Sequence, residues 1–146
     1  MFQLNLRRRG ISDQRVLRAM ECPWVDVIGH PTGRLLLKRD PVRINMDAVM
    51  NAAAAKGVAL EMNSTVDRLD LNDSLARAAR DRGVRLIIST DAHSVARLGH
   101  QRWGVQVARR AWLRPEDVLN TRPLADFLPL LRRHAGSARR GSDPAP

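Results

Sequence analysis

Three times along this chain a short apolar run stops on a cluster of polar residues capable of chemistry, and a helix-like stretch follows. Trp24-Val25-Asp26-Val27-Ile28 stops at Gly29-His30-Pro31-Thr32-Gly33. Val58-Ala59-Leu60-Glu61-Met62 stops at Asn63-Ser64, and Val84 to Ser89 at Thr90-Asp91-Ala92-His93. Such runs read as strands, and their apolar character on both faces is that of a parallel sheet covered by helices. The spacing predicts an α/β fold in which parallel strands alternate with helices. In such folds the chemistry gathers at the carboxyl ends of the strands. His30, Glu61, Asn63, Asp91 and His93 all fall there.

The helices carry their own punctuation. Ser12 is placed to cap a helix over about residues 13–21, with Val16, Leu17 and Met20 on one face, and Pro23 ends it. A second helix starts at Asn45 or Met46, runs to Lys56 and closes at Gly57. A third opens at Asn72 or Asp73 and closes at Gly83. A fourth is expected from Val105 to Trp112, a helix start with proline in its first turn at Pro115, and a last short helix from Ala125 to Arg133. From Ala135 onward Gly, Ser, Arg, Asp and Pro predict a disordered basic tail. The expected division is an irregular segment over 1–11, a domain over 12–134 and the tail over 135–146.

A length of 146 residues suits one domain. Aromatic residues are only 3%, so the core must be built from Val, Leu, Ile, Ala and Met. There is no apolar run long enough for a membrane span, and Arg7 to Arg9 are not followed by the apolar stretch of a signal peptide. Cys22 is the lone cysteine, so no internal disulfide can form and a cytoplasmic setting is expected. The net charge of +10 favours nucleic acid or other phosphate-rich partners. All but Lys38 and Lys56 of the 25 basic residues are Arg, which also reads as compositional habit, and several sit in the tails, Arg132 and Arg133 among them.

His and Asp are common ligands of zinc, manganese and iron. In Asp91-Ala92-His93 the turn after a buried strand breaks the strand alternation, so both side chains can enter one pocket. A metal there would lower the pKa of bound water to about 7 and so supply a nucleophile for phosphate esters. Each residue also has a plainer reading. His30 lies in a turn sequence, Asp91 precedes a helical stretch near Ser94 that it would cap, Glu61 would pair with an Arg, and Asn63 would end its strand. His100 and His134 read as surface residues and Trp103 as core. The joint placement at successive strand ends favours the site over these readings.

The same segments carry a family resemblance. Gly29-His30-Pro31-Thr32-Gly33-Arg34, Leu60-Glu61-Met62-Asn63, Arg68-Leu69-Asp70-Leu71 and Thr90-Asp91-Ala92-His93-Ser94 resemble, in order, motifs of the PHP (polymerase and histidinol phosphatase) domain of bacterial family X DNA polymerases. Arg102-Trp103-Gly104-Val105 and Leu119 to Pro123 are similar as well, and the likeness runs from about Leu17 to Leu131. It implies part of a distorted seven-stranded β/α barrel with a divalent-metal cluster, manganese or zinc, at the strand ends. It implies phosphoester hydrolysis, here 3′–5′ exonuclease and DNA-end processing in repair, with DNA or another phosphorylated compound as substrate. By match, His30, Asp91 and His93 are metal ligands, with Asp91 and His93 catalytic. Glu61 and Asn63 line the pocket, and Arg34 and Arg68 meet substrate phosphate. The family's His-x-His motif and its other early ligands are not in this sequence, nor is a polymerase domain. The chain is also shorter than a closed barrel of about 200 residues or more. It reads as the last three strands and helices of the barrel, with Met1 to Gly10 as a start inside a longer ancestral gene. Other readings are a non-catalytic nucleic-acid-binding remnant, a phosphomonoesterase of the histidinol phosphatase kind, and a complementing or self-associating subunit, since an open half-barrel exposes sheet edges.

Overall fold

A computed structural model describes residues 2–3 and 13–132. The cap expected at Ser12, the tail over 135–146 and His134 lie outside the described residues. Four strands form one parallel sheet in sequential order: β1 (Phe2–Gln3), β2 (Val27–Gly29), β3 (Ala59–Asn63) and β4 (Leu86–Ser89). The helices are α1 (Asp13–Glu21), α2 (Met46–Lys56), α3 (Asp73–Asp81), the short α4 (Val95–Leu98), α5 (Gln101–Arg110) and α6 (Leu124–Phe127). The sheet is open, with β1 and β4 at its edges. The alternating parallel architecture read from the sequence is therefore present, as a partial barrel. Among the described residues no helix is long and apolar enough to cross a membrane.

Local chemistry explains the element ends. The Asn45 side chain accepts the Ala48 N–H at 3.0 Å and starts α2. Gly57 ends it in a left-handed conformation, φ 65°, where a Cβ would also stand 3.1 Å from the Arg85 guanidinium. Asn72 caps α3 by accepting the Leu75 N–H at 2.8 Å.

Strand registers sort the side chains into two layers. Ile28, Leu60, Met62, Leu86 and Ile88 share one face and join the main core with Val16 and Met20 of α1, Val49, Met50 and Ala53 of α2, Ala76 and Ala79 of α3 and Ala108 of α5. Val27, Ala59 and Ile87 share the other face and pack with Leu119, Phe127 and Leu130 of the C-terminal segment. Glu61, Asn63 and Ser89 continue this second face toward the strand ends, which is why polar side chains emerge there together.

α5 approaches the sheet closely at Gly104, where a Cβ would lie 2.7 Å from the Ile88 side chain. After α5 the chain returns to the free edge of β4. Val118 pairs in parallel with Leu86, and the Asn120 amide both accepts the Ile88 N–H (3.1 Å) and donates to the Ile88 carbonyl (2.7 Å).

Four expectations are corrected. The first long strand begins at Val27 and not Trp24, because Cys22 to Val25 form a turn closed by the Val25 N–H on the Cys22 carbonyl, leaving Trp24 76% exposed. The fourth helix starts at Gln101, four residues early, and α4 precedes it. Trp103 is not core but 40% exposed, with the Arg102 guanidinium stacked 4.7 Å above its ring. Arg132 is no free tail charge: its backbone N–H meets Asp26, and its guanidinium donates to the carbonyls of Met20, Cys22 and Val25.

Candidate active site

The site lies beyond the carboxyl ends of β2, β3 and β4. His30 follows β2 in a left-handed backbone conformation, φ 31°, and is 5% exposed. Its backbone N–H donates to the Glu61 carboxylate, which also accepts from the Ser89 hydroxyl and, at 3.4 Å, from the Asn63 amide. The Asn63 side-chain oxygen accepts the Thr65 N–H at 3.0 Å. Glu61 thus ties all three strand ends to one carboxylate.

Electrostatics follow from this burial. Desolvation raises the Glu61 pKa above the usual carboxylate range, against the hydrogen bonds from Ser89, His30 and Asn63. Burial, followed by the Arg68 guanidinium, lowers the His30 pKa, with Asp91 acting in the opposite sense. The imidazole is accordingly neutral at physiological pH, and its buried Nδ1 has no hydrogen-bond partner among the described residues. Asp91 has a left-handed backbone, φ 48°, and its carboxylate stands 3.8 Å from Arg68 Nε. Arg68 Nη1 is buried and also has no hydrogen-bond partner among the described residues.

His30, Glu61, Asn63, Arg68 and Asp91 are therefore brought to one place. Two of the expected site residues behave differently. His93 is exposed, and its Nδ1 lies 2.7 Å from the Asp91 carbonyl oxygen. Arg34 directs its guanidinium to backbone, with Nε on the Arg68 carbonyl at 2.7 Å and Nη2 on the Leu69 carbonyl. Ser89 and Asp70 were given no role in the sequence reading. Strand alternation from Glu61 and Asn63 across the β3–β4 register is a signal that points to Ser89. Asp70 had no local signal: its fully buried carboxylate accepts the backbone N–H groups of Thr32 (3.0 Å) and Gly33 (2.8 Å), from 37 and 38 residues earlier in the chain.

The donors suit a divalent metal in kind: a neutral histidine with an unengaged buried nitrogen beside an aspartate carboxylate. They do not complete a site. Among the described residues no group of three or more His, Cys, Asp or Glu side chains is arranged to hold an ion.

An open parallel sheet with its polar side chains at the strand ends is the architecture of a partial β/α barrel. Sequence comparison adds particular relatives. The chain is 38% identical over 121 residues to the DNA polymerase/3′–5′ exonuclease PolX of Bacillus subtilis, covering 83% of this chain and 21% of that protein. It is 33% identical over 128 residues to a probable phosphatase of Edwardsiella ictaluri, covering 50% of it, and 27% identical over 112 residues to one of Thermoanaerobacter sp., covering 43%. No family model matches the chain. The chain is similar to these proteins over most of its own length, and it spans half or less of theirs.

Proposed function

We propose that this chain forms part of a metal-dependent PHP-type phosphoesterase acting on DNA 3′ ends, as the name of the B. subtilis relative suggests for its own activity. The observation that carries the reading is the meeting of His30, Asp91 and Arg68 at the strand ends, with a buried histidine nitrogen and a buried guanidinium nitrogen both without hydrogen-bond partners among the described residues.

In this reading His30 and Asp91 hold a divalent ion, manganese or zinc, with His93 joining them by rotation of its exposed side chain. When bound, that ion supplies a water of lowered pKa and charge for the phosphate oxygens. The chain's own residues do the rest. Arg68 Nη1 donates to a phosphate oxygen. Glu61 fixes the backbone of His30 and the hydroxyl of Ser89, and so keeps the imidazole aimed. Asn63 steadies Glu61 from the same strand face. Arg34 serves the loop and not the phosphate. With His93 the ion would have the three protein ligands that a catalytic ion ordinarily takes.

The test is elemental metal analysis of the full chain beside the Asp91→Ala/His93→Ala double variant, followed by cleavage assays with manganese. About one equivalent of metal, lost in the double variant, together with release of 3′ nucleotides from DNA, is expected. Metal-free protein that releases neither 3′ nucleotides nor phosphate from a phosphomonoester, alone or with a complementing chain, would overturn the reading. Cleavage of the phosphomonoester alone would move the substrate away from DNA, toward the probable-phosphatase relatives.

A further inference from the structure

We infer that Asp70 and Arg34 are positioning residues that form a reciprocal clasp, setting His30 and Arg68 at a fixed separation so that the metal-binding ring and the phosphate-binding guanidinium are presented as one unit. The inference rests on the roles proposed above for His30 and Arg68.

The clasp closes in both directions. From the segment after β3, the Asp70 carboxylate accepts the Thr32 and Gly33 N–H groups, two and three residues beyond His30. From the segment after β2, Arg34 donates to the carbonyls of Arg68 and Leu69, the two residues before Asp70. The second segment is itself stapled to β3, since the Asp70 N–H donates to the Asn63 carbonyl (3.1 Å) and the Leu71 N–H to the Glu61 carbonyl (3.2 Å). His30 and Arg68 thus stand on two loops cross-linked by side chains that touch neither ligand position.

Two further features demand such a device. His30 and Leu69, one on each loop, hold left-handed backbones at φ 31° and 47°, which non-glycine residues keep only where the surroundings over-determine them. And a carboxylate that is 0% exposed is costly unless its oxygens are occupied; Asp70's meet two convergent N–H groups, with Arg34 nearby as the compensating charge. Neither residue is placed for chemistry. Asp70 is sealed from any substrate, and Arg34's fork is turned to backbone, a geometry that lysine cannot reproduce.

The experiment compares the full-length wild type with Asp70→Asn and Arg34→Lys, using manganese alone and inorganic phosphate alone as probes and NMR as readout. In both variants Thr32 and Gly33 amides should exchange about ten-fold faster while those of α2 and α3 keep their protection. Affinities for manganese and phosphate should then fall together, each by about ten-fold. A folded variant that binds both probes like wild type, or loses only one, would overturn the clasp. If one variant fails to fold, the other decides by the same readout. If wild type binds neither probe, the proposed site falls, and the clasp is judged separately. Faster exchange at Thr32 and Gly33 with concerted shifts of the His30 ring and Arg68 side-chain resonances upholds it; unchanged signals overturn it.

Discussion

Burial favours the neutral forms of the neighbours His30 and Glu61, so their pKa values move in opposite directions, and this makes stability a function of pH with a defined sign. Glu61 and Asp70 have raised pKa values in the folded state, in each case mainly through desolvation. The folded chain therefore holds protons that the unfolded chain releases. Their contribution is full below the ordinary carboxylate range and is lost as pH rises through the raised values. His30, with a lowered pKa, acts in the other sense, withdrawing stability as pH falls below the ordinary histidine value. Glu61→Gln removes one of the two carboxylate terms and keeps an acceptor oxygen for the His30 N–H. Urea unfolding between about pH 4 and 8 should show less loss of stability with rising pH than in wild type; an unchanged slope would mean Glu61 is not the titrating group. The roles at this scale were unevenly legible in sequence. His30 and Asp91 stand out because each follows an apolar run directly. Asp70 did not, because its partners lie 37 and 38 residues away and nothing local marks a carboxylate that will be buried against another loop.

Helix boundaries set by local chemistry were readable from the residues that set them. Asn45, Gly57 and Asn72 fall at the ends they were expected to mark. Asn72→Ala should cost about 1 kcal/mol by removing an N-cap bond, measurable by denaturant titration. The sheet-facing side of α5 was not readable, since the start of that helix depends on how α4 and the loop after β4 pack. Gly104 shows why the match there cannot vary: a methyl group at this position meets the Ile88 side chain and Ser64. Gly104→Ala should destabilise by about 1–3 kcal/mol through overpacking, despite alanine's better helix propensity. Equal or greater stability in that variant would show that α5 can shift away from β4. The strand around Val27 was overextended in the sequence reading because Trp24 and Val25 are apolar, but they belong to the turn after α1.

For the whole molecule the dominant quantity is charge. At +10, binding to DNA should be strongly salt-dependent, falling by orders of magnitude between about 50 and 200 mM salt if several phosphates are contacted. Filter binding or anisotropy across that range tests it, and weak salt dependence would mean the arginines are held by the protein itself. Many are: Arg34, Arg39, Arg85 and Arg132 donate to backbone carbonyls, and Arg80, Arg82 and Arg110 to carboxylates. Composition cannot distinguish an arginine that staples loops from one that awaits phosphate. The amide of Asn120, bound to both polar groups of Ile88, has a further consequence. It occupies the β4 backbone where an added strand would bind, so among the described residues that edge is closed to strand pairing. Asn120→Ala would unplug it, and light scattering should then record larger species than in wild type; an unchanged size would mean that the edge stays covered.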